Sequence, residues 1–140
     1  MSIPNNLAPK ILSKYLFNQI VKENTISLTH IYLEKGNLIL KKGDVCKYIY
    51  FIVEGTLEVY TCDTLLTKTT KAILTENSWC SDFMSFGSEF PSHKNIRSSE
   101  NSELFAIEKN SLKIAMDTNP LFQDYYIQIL EGYYKNVGFL

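Results

Sequence analysis

Between Pro9 and Val21 the apolar residues Leu12, Tyr15, Leu16 and Ile20 recur at the helical period, with Gln19 as one polar interruption. The spacing predicts an amphipathic helix with Pro9 in its first turn, where a missing amide costs little. From Ile26 to Leu74 the period shortens to two. "ISLTHIYL" predicts a first strand and "NLILKKGD" a second, ending in a turn at Gly43. In "YIYFIVEGTLEVYT", Ile49, Phe51 and Val53 share one face while Tyr48, Tyr50 and Ile52 share the other. Both faces are apolar, so this strand should be covered on both sides. Gly55 marks a turn, because glycine alone reaches positive φ without cost. Leu57 and Val59 then resume on one face, and a polar hairpin over Cys62 to Leu66 leads into the strand "TKTTKAIL".

Asn77 tolerates the left-handed conformation and closes the next turn. Asp82 to Phe86 predicts one helical turn, Gly87 to Lys94 a loop, and "NIRSS" with "SELFAIEK" a closing hairpin. "NSLKIAM" predicts a short helix capped by Asn110. Asn119 and Pro120 open a longer helix. Its apolar stripe is Phe122, Tyr126, Ile129, Leu130, Tyr133 and Val137, with Tyr125 and Tyr134 as a second strip. Two apolar faces on one terminal helix call for burial against something beyond its own domain. This order predicts a mainly β protein: a double-stranded β-helix or jelly-roll with an N-terminal helix and C-terminal helices.

Composition narrows the function. A chain of 140 residues suits one domain. With 45% hydrophobic residues it can build a core, and a net charge of −1 is unlike a lone nucleic-acid-binding domain. Cys46, Cys62 and Cys80 are isolated, which argues against a disulfide framework, zinc or an iron–sulfur cluster and for a reducing cytoplasm. "MSIPNNLAPK" lacks the pattern of a signal peptide, and no apolar run is long enough to span a membrane. His30 and His93 are far apart in the chain, so no metal is expected. There is no nucleophile elbow, dinucleotide fingerprint or phosphate loop, so no catalytic residue and no enzyme is expected.

"LKKGD", then "YIYFIVEGTLEVY", then "ENSWCSDF…ENSELFAIEKNSL" resemble the cyclic-nucleotide-binding domain of the Crp/Fnr family of bacterial transcription regulators. The resemblance runs from about Ile26 to Val137. It implies a β-roll sensor over residues 1–119, the start of a dimerisation helix over 120–140, and a DNA-binding helix-turn-helix domain beyond. The chain is therefore expected to be a sensor domain cut from a longer regulator, forming a homodimer through its C-terminal helix. It would reach DNA only through the missing domain. A stand-alone β-roll interaction module and a true cyclic-nucleotide-binding domain are the alternatives.

The family's nucleotide site is a "Phe-Gly-Glu" stretch followed, after a loop, by an arginine and a hydroxyl residue. Counted without a gap, these fall on Cys80, Ser81 and Asp82, then on Ser92 and His93. Ser81 adds a side chain where backbone should approach phosphate, Asp82 keeps a carboxylate on a shorter arm, and Ser92 lacks the arginine charge. Losing one partner of a buried charge pair costs about 2–5 kcal/mol. That is roughly 30- to 3,000-fold, enough to take a micromolar cyclic-nucleotide site to about the millimolar range. Lys94 and Arg97 are cations close in the chain that could stand in, though Arg97 on a strand also reads as a solvated face; His93 could sense a proton, and Trp79 either stacks on a ligand or packs as a core or rim aromatic. Phe83, Met84 and Phe86 could line an apolar pocket. The expected ligand is a small effector other than a cyclic nucleotide, of unknown identity.

Overall fold

The computed structural model describes residues 9–23 and 26–137. Residues 1–8 of the N-terminal stretch read for targeting and the last three residues of the predicted 120–140 helix lie outside that range. The elements in order are α1 (Pro9–Glu23), β1 (Thr29–Leu33), β2 (Leu38–Leu40), β3 (Tyr48–Glu54), β4 (Leu57–Cys62) and β5 (Lys68–Leu74). There follow β6 (Trp79–Cys80), α2 (Phe83–Ser88), β7 (Asn95–Ser98), β8 (Ser102–Glu108), α3 (Lys109–Thr118) and α4 (Pro120–Val137). The strands form two four-stranded antiparallel sheets, ordered β1-β8-β3-β6 and β2-β7-β4-β5. This is the predicted jelly-roll with helices at both ends.

Strand β3 is covered on both faces, as its sequence requires. Ile49, Tyr50, Phe51 and Ile52 are all buried. Phe51 pairs across the sheet with Phe105 and stacks on Phe17 of α1, ring centroids 4.2 Å apart. Cross-strand partners share a face. Ile49 and Ile107 therefore join Phe51 under the helices, while Ile52 and Leu104 face the interior of the roll. Gly55 turns β3 into β4 at φ +105°, and a Cβ there would lie 2.1 Å from Ser102 Oγ. Glycine is thus needed for both conformation and space.

Several local expectations change. The first strand begins at Thr29, not Ile26, although Ile26 is buried. Trp79 and Cys80 form a short strand against Phe51 and Tyr50, a pairing too brief to leave a sequence period. Asn110 is not the cap of α3: the helix begins at Lys109, and Glu108 precedes it with no side-chain capping bond. Asn119 does open α4, its Oδ1 accepting from the Leu121 amide at 3.1 Å.

The face of α4 turned to its own domain is Phe122, Tyr125, Ile129 and Tyr133, at helical spacing. Tyr125 therefore belongs to the covered stripe rather than to a second strip. A different stripe, Ile127, Leu130, Tyr134 and Val137, stays half-buried or exposed.

Candidate functional site

The loop between α2 and β7 is clamped to the Gly43 turn. The Gly43 amide donates to the Ser92 carbonyl at 2.9 Å, and the Ser92 amide donates to the Asp44 carbonyl at 2.8 Å. The Lys42 amide adds a bond to Asn95 Oδ1 at 2.9 Å. Asp82 caps α2, its carboxylate accepting from the Ser85 amide at 3.4 Å. Ser85 Oγ in turn donates to the Phe90 carbonyl and accepts from the Cys46 amide at 2.9 Å. At the far end of α2, Glu89 takes the left-handed conformation at φ 66°, and its carboxylate pairs with Lys109 of α3 at 2.9 Å. The helix is fastened at both ends.

Within this frame Ser81, Asp82 and Ser92 are all buried. Ser92 Oγ donates to Asp82 Oδ2, and the Lys94 amide donates to Ser92 Oγ at 3.0 Å. Ser81 Oγ donates to the Tyr48 carbonyl at 2.8 Å and lies 3.2 Å from Cys46 Sγ. The Ser81 side chain thus turns into the protein and does not block the turn from outside, as its position in the sequence suggested. Asp82 and Ser92, which stand where a carboxylate and an arginine were sought, are bonded to each other. Among the described residues no buried side-chain polar atom lacks a partner.

In front of this cluster lies a concave pocket of about 670 Å³. Asp82 and Ser85 line it beside Met84, Ser88, Phe90 and Pro91 from α2 and its loop. His93 and Lys94 flank it, Thr61 and Lys71 come from β4 and β5, and Tyr134 comes from α4. The volume is typical of a small-molecule site. Met84 and Phe90 are exposed apolar side chains within it. Tyr134 has its phenol pushed above the usual tyrosine range by burial first and by the charge of Asp82 second.

Three of the six candidate side chains therefore meet in one pocket: Asp82, His93 and Lys94. Ser81 and Ser92 stand behind it. Trp79 is corrected: only 3% exposed, it packs edge-on against Phe51 at 5.2 Å and donates from Nε1 to the Ser13 carbonyl at 3.3 Å. It is held in the core under α1 and lines no part of the pocket. Arg97 is engaged elsewhere, its Nε 3.0 Å from the Glu58 carboxylate. Of the phenylalanine–methionine cluster only Met84 reaches the pocket, since Phe83 and Phe86 are buried and tilt against Tyr126. Lys71, Thr61 and Phe90 were missed. Lys71 sits in a polar edge strand where a lysine ordinarily means solvent, and nothing local marks it out.

A family model for the cyclic nucleotide-binding domain matches residues 30–119. No curated protein sequence matches the chain. Among solved structures, the sensor domain of the transcriptional regulator DNR from Pseudomonas aeruginosa is similar with a TM-score of 0.72 and 16% identity, over 89% of this chain and 86% of that one. The Catabolite Activator Protein of Thermus thermophilus gives a TM-score of 0.67 and 18% identity, over 94% of this chain and 57% of that one. The c-di-GMP responsive global regulator CLP of Xanthomonas campestris gives 0.73 and 11%, over 88% and 58%. The chain thus spans a little over half the length of these last two. At such identities the likeness shows a shared fold.

Proposed function

This chain belongs to the cyclic nucleotide-binding domain family, and from that premise we propose that it is the effector-sensing and dimerising domain of a Crp/Fnr-like transcription regulator whose cradle does not take a cyclic phosphate in the usual way. The observation that carries this reading is the bond between Ser92 and Asp82. The two groups that would divide between ribose and phosphate satisfy each other, and no arginine stands at the position to neutralise a phosphate. The pocket in front remains open and takes a different small effector. That one relative of the same fold is described as c-di-GMP responsive supports a fold that changes its ligand while keeping its architecture.

Dimerisation rests on the flanking stripe of α4, which the core covers only in part. Ile127, Leu130, Tyr134 and Val137 repeat along one face of the helix, and Ile127 is 49% exposed. Tyr134 belongs both to this stripe and to the pocket lining. An effector touching Tyr134 would act on the helix in proportion to its difference in affinity for two helix arrangements. The test is calorimetric titration with cyclic AMP and cyclic GMP. The expected result is no saturable binding below about the millimolar range. Micromolar binding of either nucleotide overturns the reading.

A further inference from the structure

Resting on the reading that the pocket takes an effector other than a cyclic nucleotide, we propose that this effector is an amphipathic organic carboxylate. Its apolar body lies on Met84, Phe90 and Pro91, and its carboxylate is held by Lys71 and Lys94.

The apolar half of the argument is exposure inside a concavity. Met84 is 74% exposed and Phe90 72% exposed, and both line the same pocket. Adjoining large apolar side chains left open in a recess mark a surface that a ligand covers. The charged half is the distribution of sign. Among the described residues Asp82 is the only carboxylate lining the pocket, it is 4% exposed, and it is bonded to Ser92. It makes the deep end unfavourable for an anion. Lys71 is exposed and Lys94 half-buried, both more open than Asp82, and neither ammonium makes an ion pair among the described residues. An anion is therefore drawn to the lysine side, with its apolar remainder across Met84 and Phe90.

A carboxylate fits this arrangement better than a phosphate. The Ser85, Ser92 and Lys94 amides already donate to Asp82, Asp44 and Ser92. These three therefore offer no free N–H to an oxyanion. A carboxylate also brings a single negative charge where a phosphate monoester brings about 1.5 to 2, so Asp82 repels it less. Tyr134, neutral near pH 7 like any phenol, adds no repulsion and brings the ligand against α4.

The test titrates the chain by calorimetry with decanoate, with 1-decanol and with decyltrimethylammonium, which share one tail and differ in head charge. Decanoate should bind saturably and more tightly than the alcohol, and the cation should bind weakest. Lys71→Gln and Lys94→Gln should each weaken decanoate about twofold to fivefold and leave decanol unchanged. Lys71→Arg and Lys94→Arg should retain binding, and circular dichroism should show each variant folded. Absence of saturable decanoate binding overturns the inference. So does equal binding of the alcohol, preference for the cation, or indifference of decanoate to both glutamine variants. Cyclic AMP titrated in parallel separates the two levels. Micromolar binding of the nucleotide removes the underlying reading, whereas failure of both ligands removes the carboxylate alone.

Discussion

Ser92 illustrates how much one side chain decides here. It is buried, it donates to Asp82, and its oxygen accepts from the Lys94 amide. Ser92→Ala should leave both groups short of a partner and cost about 1–3 kcal/mol. The check is thermal unfolding, where the midpoint should fall by several degrees; an unchanged midpoint would show that the cluster is not holding the loop. Glu58 offers a second residue-scale prediction. Burial raises its pKa, but hydrogen bonds from Thr70, Lys68 and Arg97 outweigh this and hold it below the ordinary value of 4.5. A depressed carboxylate contributes stability above its unfolded pKa and loses it as pH falls through the folded value. Glu58→Gln should therefore be less stable than the parent near neutrality, and the difference should shrink below about pH 4.5. Urea unfolding at several pH values reads this; a difference that stays constant down to acid would contradict it. At this scale Ser81, Asp82 and Ser92 were reached by counting along the family's nucleotide-site pattern. It did not reveal that Ser81 bonds to Tyr48 or Ser92 to Asp82, because those partners are set by folding rather than by local pattern.

The elements were legible where a period ran long enough to be heard. Strand β3 was readable because both its faces are apolar, and α4 because its stripe lasts for several turns. β6 was not, since two paired residues make no period; Trp79, weighed as a stacking residue because it precedes the family's binding turn and otherwise as a core or rim aromatic, lies in the core under α1. The cap of α3 was misplaced because asparagine is a strong capping residue by preference, yet β8 hands over to the helix two residues earlier, at Glu108. The β3–β4 turn gives a sharp test. Gly55→Ala would bring a Cβ within 2.6 Å of the Ser102 backbone Cα at a φ of +105°. The cost should be about 2–4 kcal/mol. It should appear as a lowered urea midpoint, and a neutral or stabilising substitution would contradict the packing described. The α2–α4 contact is comparable: Phe83 meets Tyr133 edge-on at 4.9 Å, so the helix that bounds the pocket is packed directly on the terminal helix.

At the scale of the whole molecule, the roll fixes a pocket whose walls come from both β4–β5 and α2, with α4 as its fourth side. The flanking stripe of α4 predicts association. Ile127→Glu, at a position 49% exposed, should weaken a dimer by about tenfold or more while leaving the fold intact. Sedimentation equilibrium measures this, and a parent chain that is monomeric at every concentration would remove the dimer from the account. Fold and family were readable from three stretches of sequence. The character of the pocket was not, because Thr61, Lys71, Phe90 and Tyr134 come together only through the sheet pairing of β4 with β5 and the docking of α4.

The central claim is that the family's phosphate cradle is filled by the protein's own hydrogen bonds. The most direct measurement is the amide spectrum of isotope-labelled chain during titration with cyclic AMP, following Ser85, Ser92 and Lys94. The account predicts that these signals stay in place at submillimolar nucleotide. Saturable shifts of the three amides together would show that a cyclic phosphate displaces the internal bonds, and would contradict it.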